Sequence, residues 1–143
     1  MSWLAMPHRP ALRVAHGVLS VILLGASIAV VTTTGAAWWW VAATVMAPDV
    51  ALLPGFGRGL ARGQLHPRAV PLYNVLHHPA GPIALGALAV LGVVGAGPAA
   101  AALAWGFHIA MDRAAGYGLR RPDGLPRPCA QRPRAPAGGR GPS

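Results

Sequence analysis

The sequence predicts an all-α protein, a four-helix transmembrane bundle with both termini cytoplasmic, and three observations predict it. Only 10% of the 143 residues are charged, 54% are apolar, and mean hydropathy is +0.46. A soluble domain carries about 25% charged residues, so this surface is not built to face water on all sides. The charges are also segregated. All 12 basic side chains are Arg, and the only acids are Asp49, Asp112 and Asp123. Arg is absent from 14–57 and from 69–112, and gathers in the ends and one middle loop. That distribution, rather than the net charge of +9 as such, identifies the partner as a lipid bilayer, with basic loops facing the cytoplasm and no nucleic acid expected. A chain of this length forms one domain. Its single cysteine, Cys129, excludes a disulfide within the chain.

Residues 1–13 are a short basic lead with His8, Arg9 and Arg13. Residues 14–34 then run without a formal charge, long enough to cross a bilayer, and open a transmembrane domain expected over 14–118. A secretory signal with a small-residue site near Gly35-Ala36-Ala37 is the rival reading. The apolar run exceeds a usual signal core and further spans follow, so a retained helix is expected. The second span, 36–53, opens with Trp38-Trp39-Trp40, whose indoles suit the outer membrane–water interface, and it ends around Pro48 and Pro54. Residues 54–68 are a Gly-rich loop with Arg58, Arg62 and Arg68.

The third span, 70–97, is longer than one upright crossing requires and contains Pro79 and Pro82. One tilted or kinked helix is expected, with two segments joined at His78-Pro79 as the alternative. Residues 99–117 form the fourth span, and 119–143 an Arg/Pro/Gly-rich tail expected to be disordered. Four spans place the three basic segments on one side, which predicts a multi-pass protein of the inner (plasma) membrane. Gly17, Gly25 and Ala29 on the first helix, and Ala100 and Ala104 on the fourth, form stripes where helix backbones can approach closely.

Ionisable groups inside spans are costly and therefore informative. Here they are Asp49, His77, His78, His108 and Asp112, joined by Asn74, with His16 near the start of the first span. At ~1.5 Å per residue, Asp49 and Asp112 lie roughly 6–7 Å inside the inner ends of their helices, His77 ~10 Å and His108 ~13 Å. Three helices thus bring polar groups to one layer beneath the cytoplasmic face. Asn74 and His77, and His108 and Asp112, also share helix faces by spacing.

Two imidazoles and two carboxylates, Asp49, His77, His108 and Asp112, are a competent set for a divalent metal such as Zn²⁺, Mn²⁺ or Fe²⁺, with Asn74, His16 and Arg113 in support. Such a metal would support hydrolysis. Two other readings remain open. The same residues can act only as interhelical hydrogen-bond glue, with Arg113 pairing one carboxylate. They can also line a proton or small-solute path, which in so short a chain requires a homo-oligomer. His78 is read as structural or solvent-facing, His8 and His66 as solvated loop residues, and Tyr73 and Tyr117 as interfacial anchors.

The order Pro48-Asp49, then Tyr73-Asn74-x-x-His77 with Pro79, then His108-Ile109-x-x-Asp112-Arg113 and Gly116-Tyr117-Gly118-Leu119 resembles the domain of unknown function 4260 family of small bacterial integral membrane proteins. The resemblance covers about 10–125 and implies a compact four-helix membrane protein without an established activity. The order Pro-Asp, His, His-x-x-x-Asp is also similar to that of the membrane-bound metal-dependent hydrolases. The chain departs from the family pattern in offering His16 where an acidic residue is usual, and in lacking a later His in its tail.

Overall fold

Helix α5 (Ala96–Ala115) is the element against which the others pack. It runs antiparallel to α1 (Pro10–Thr34), while α2 (Trp39–Met46) and α4 (Ala80–Val90) lie against other parts of its surface. A short α3 (Val70–Leu76) and two 3-10 segments, Ala47–Gly55 and Pro67–Ala69, complete the fold. The structure is a computed structural model that describes residues 10–127. Most of the expected basic lead (1–9), and the expected tail from 128 with Cys129, lie outside the described residues. Among the described residues there is no strand, only an isolated bridge between Arg120 and Pro126.

α5 can occupy the centre because its buried face is small: Gly97, Ala100, Ala101 and Ala104. Close backbone approach follows. The Ser27 hydroxyl donates to the Ala100 carbonyl at 2.8 Å, an interhelical bond in the buried seam between α1 and α5. The Trp40 indole lies directly on Gly97, where any Cβ would collide with the ring. Val31, Val41, Ala100 and Ala104 form the core between α1, α2 and α5. α5 stops at Gly116, whose φ of 96° is the left-handed cap that glycine adopts without a Cβ penalty, and its N–H is shared by the Arg113 and Asp112 carbonyls. Arg13 reaches from α1 to the last carbonyls, its Nε donating to Ala114 at 2.8 Å.

Three expectations are corrected. The small-residue stripe of the first helix is not the packing face. Ser20, Ser27 and Val31 are the buried residues there, Gly17 only touches Ala114, and Gly25 faces open space. The third helix is broken rather than kinked. α3 ends at Leu76, α4 starts at Ala80, and the break falls at His77–Pro79 because Pro79 offers no N–H to continue the helix. The start of the expected disordered tail is folded back. Asn74 donates to the Arg120 carbonyl at 2.9 Å and accepts from its N–H at 2.7 Å. Gln64 donates to Asp123, and Leu65 donates to Gly124. Leu119 is buried.

The second expected span also changes form partway. Pro48 cannot return a hydrogen bond to Thr44, nor Pro54 to Val50, and between them the helix tightens into nine residues of 3-10 structure. Such segments rarely exceed ~3–4 residues, and long ones mark strained or functional places. α2, α3 and α4 contain only 8, 7 and 11 residues. Among the described residues α1 alone is long and apolar enough to cross a membrane by itself.

Many large apolar side chains face outward. The fully buried hydrophobic positions are mostly Ala, whereas Val14, Val18, Val21, Ile22 and Ile28 of α1 and Ile83 and Val90 of α4 point outward. Val90 is 89% exposed.

Two outcomes are expected. Gly97→Leu should destabilise the fold by about 1–3 kcal/mol through collision with Trp40, whereas Gly25→Ala should leave the melting temperature unchanged or raise it; thermal melts followed by circular dichroism separate them. Asn74→Ala removes both bonds to Arg120, a loss of roughly 1–2 kcal/mol. Limited trypsinolysis should then cut after Arg120 faster than in the parent chain.

Candidate metal centre

Four side chains expected from sequence to share one layer meet in space. Asp49 comes from the 3-10 segment, whose tight turn aims it toward α5, and stays half-exposed at 48%. His77 follows the last turn of α3, at the break before Pro79, and is 1% exposed. His108 and Asp112 lie one turn apart on α5, the first fully buried and the second 16% exposed. The His77 Nε2 is 3.3 Å from Asp112 Oδ2 and 4.0 Å from Asp49 Oδ1. The His108 Nε2 is 3.6 Å from Asp49 Oδ1 and 3.8 Å from Asp112 Oδ2. One ligand atom from each of Asp49, His77 and His108 fits within 4.8 Å of the others.

Proton bookkeeping makes this arrangement informative. The His77 Nδ1 lies 2.9 Å from the Tyr73 carbonyl, which can only accept, so Nδ1 carries the hydrogen. In a neutral ring Nε2 then presents a lone pair to two carboxylates. Neither His77 Nε2 nor either ring nitrogen of His108 has a hydrogen-bond partner, although all three are buried. Buried polar atoms are nearly always satisfied, so the two Nε2 atoms that face the carboxylates require an explanation. Lone pairs facing carboxylate oxygens repel one another unless a cation or a proton lies among them. With neutral imidazoles the cluster carries two negative charges, which one divalent cation would balance. The donor chemistry of the cluster therefore fits such an ion, and the carbonyl on the far nitrogen of His77 is the orienting contact that metal-bound histidines commonly show.

The supporting residues are placed differently. Asn74 is committed to Arg120 and does not reach the cluster. His16 bonds the Leu12 carbonyl and lines a cleft between α1, α4 and α5. Arg113 does not pair a carboxylate as expected: its guanidinium donates to the carbonyls of Tyr117 at 2.9 Å and His77 at 3.2 Å, holding the chain at the helix break. His66 caps the Pro67–Ala69 segment by accepting from the Arg68 N–H at 3.3 Å, and His78 accepts from the Ala80 N–H at 3.2 Å. Tyr117 is 54% exposed.

Tyr73 was missed as a site residue. Instead of anchoring at an interface it is buried, stacks on His77 with ring centroids 3.9 Å apart, and lies under the Arg120 guanidinium. Its i,i+4 spacing to His77 was the available signal. An amphipathic side chain at a helix end reads equally well as an anchor, which hid it.

Comparison with curated proteins and with solved structures gives no match. A family model does match, across residues 17–128, and that range contains all four cluster residues and the folded-back segment. By that match the chain belongs to the family described as a domain of unknown function, DUF4260.

Proposed function

We propose that the chain is a membrane-embedded metalloprotein in which Asp49, His77, His108 and Asp112 hold one divalent cation, Zn²⁺, Mn²⁺ or Fe²⁺, and that hydrolysis is the chemistry the site serves. The observation that carries this reading is the pair of buried Nε2 atoms, of His77 and His108, that lie 3.3–4.0 Å from the Asp49 and Asp112 carboxylates without a hydrogen bond. Mixed nitrogen and carboxylate donors suit these ions. A cation bound there supplies Lewis acidity and an acidified water. The protein's own residues do the rest. Tyr73 and Arg113 fix the position and tautomer of His77, the Ala-rich face of α5 keeps the His108 side dry, and half-exposed Asp49 marks the open side.

Membrane embedding is supported by the outward Val, Ile and Leu side chains around an Ala-rich interior, which lipid tolerates and water does not. α1, with 25 residues, is long and apolar enough for a full crossing, and α5, with 20, has the length of one. The α2/3-10 pair and the α3/α4 pair supply broken ones. Broken helices persist in membranes where the freed backbone is buried in protein, and both breaks here flank the cluster. Arg13, the Arg58–Arg62 loop and the 119–127 segment meet at one end, the arrangement the positive-inside rule requires.

One observation favours a second reading. At 3.3 Å, a doubly protonated His77 could form an ion pair with Asp112 and hold the helices without metal or reaction.

Two measurements decide. Detergent-purified chain should contain about one equivalent of metal by plasma mass spectrometry, and His108→Ala and Asp112→Asn should each reduce it to a small fraction while retaining helical circular dichroism. Metal-free parent protein, or content indifferent to His108→Ala, selects the ion-pair reading. Separately, carbonate washing of membranes should leave the protein in the pellet; release into the supernatant would refute embedding.

A further inference from the structure

A second site lies on the other side of α5. α1 and α4 stand apart across its surface and leave a cleft of about 910 Å³, at the upper end of the ~300–1,000 Å³ typical of small-molecule sites. The walls are apolar, with Leu19 and Leu23 on α1 and Ile83 and Ala84 on α4, and the floor is kept low by Gly106. Polar groups occur at one end only: His16, His78 and Arg113. None of Asp49, His77, His108 or Asp112 lines this cleft, so it is separate from the metal centre.

Arg113 makes the cleft more than an unfilled gap. It is 4% exposed, yet its guanidinium donates only to the two carbonyls of Tyr117 and His77, and it takes part in no ion pair among the described residues. Of its five N–H donors, two are engaged in this way. A guanidinium buried beside apolar surface with no carboxylate within ion-pair distance is costly, and an anion at the cleft mouth would offset that cost. The apolar length running away from it is about 16 Å, the span of the 11-residue α4. One charged end and one long apolar body describe a lipid.

We infer that this cleft binds one acyl chain of an anionic membrane phospholipid, with the phosphate at the Arg113 end. The charge requirement selects an anionic over a zwitterionic headgroup, because a zwitterion brings its own cation to the guanidinium. The cleft shape selects an acyl chain over a compact ligand. The inference rests on the membrane reading above, since the Arg-rich end of the molecule would then lie at headgroup level.

The test uses the full chain in detergent with equal amounts of phosphatidylglycerol and phosphatidylcholine bearing the same acyl chains, read by native mass spectrometry. One phosphatidylglycerol should be retained with several-fold preference over phosphatidylcholine. Arg113→Gln should abolish the preference. Because Arg113 also holds two backbone carbonyls, a second variant is needed. Ala84→Trp, on the exposed wall, should fill the cleft and eject the bound lipid while leaving helical content and metal content at the 49/77/108/112 cluster unchanged. Equal retention of both lipids by the parent chain, or phosphatidylglycerol binding indifferent to Ala84→Trp, overturns the proposal as annular lipid only. Carbonate release would instead mark failure of the membrane reading, and loss of metal from the parent chain failure of the metal reading.

Discussion

Close approach to the small face of α5 is the constraint on which the remaining structure depends. Gly97, Ala100 and Ala104 let α1 and α2 lie near enough for Ser27 to reach a backbone carbonyl and for Trp40 to rest on the helix itself. Small side chains let the helix backbones meet at this distance, where van der Waals packing and the interhelical hydrogen bond supply the attraction. The same geometry explains where bulk is allowed. Along the seam between α1 and α5 the buried face of α5 is Gly and Ala, and many large apolar side chains of α1 are directed outward. One turn beyond Ala104 the same face presents His108, and one turn later Asp112. The small-residue seam therefore leads directly into the polar cluster.

The two broken helices are the second half of that arrangement. Pro48 and Pro54 convert the end of the second helix to 3-10 structure, and Pro79 interrupts the third. Continuous helices would have carried Asp49 and His77 past α5 on their own periodicity. The breaks let each side chain be delivered to a fixed point, and neighbouring groups satisfy the backbone atoms that the breaks release. Arg113 serves the carbonyl of His77, and Tyr73 serves both the backbone N–H and the ring of the same residue. Support of this kind separates a preorganised site from a chance meeting of polar residues.

α5 also divides two chemistries. On one side lie carboxylates and imidazoles in a buried, compact cluster, and on the other an apolar cleft closed at one end by a guanidinium. Arg113 touches both sides, lining the cleft while bonding to the His77 carbonyl.

By itself the sequence determined the all-helical class, the approximate positions of α1 and α5, and which four polar residues of the helices to examine together, because each of these is written in local terms. Uninterrupted apolar runs, proline positions, i,i+4 spacing and the rarity of charge within helices all act over a few residues. Membership of the family was legible in the same way, from motifs with fixed spacing. What only the tertiary structure decided were partnerships across the chain. Asn74 and Arg120 are 46 positions apart, Arg113 and His77 are 36, and nothing in their spacing says that one will hold the other. The packing face of α1 was misread because Gly25 and Ser27 are both small, and only the position of α5 determines which of them is buried. The residues expected to face one another did meet. Which atoms were left without partners, and so where an ion or a lipid would be welcome, depended on the three-dimensional contacts of every neighbour.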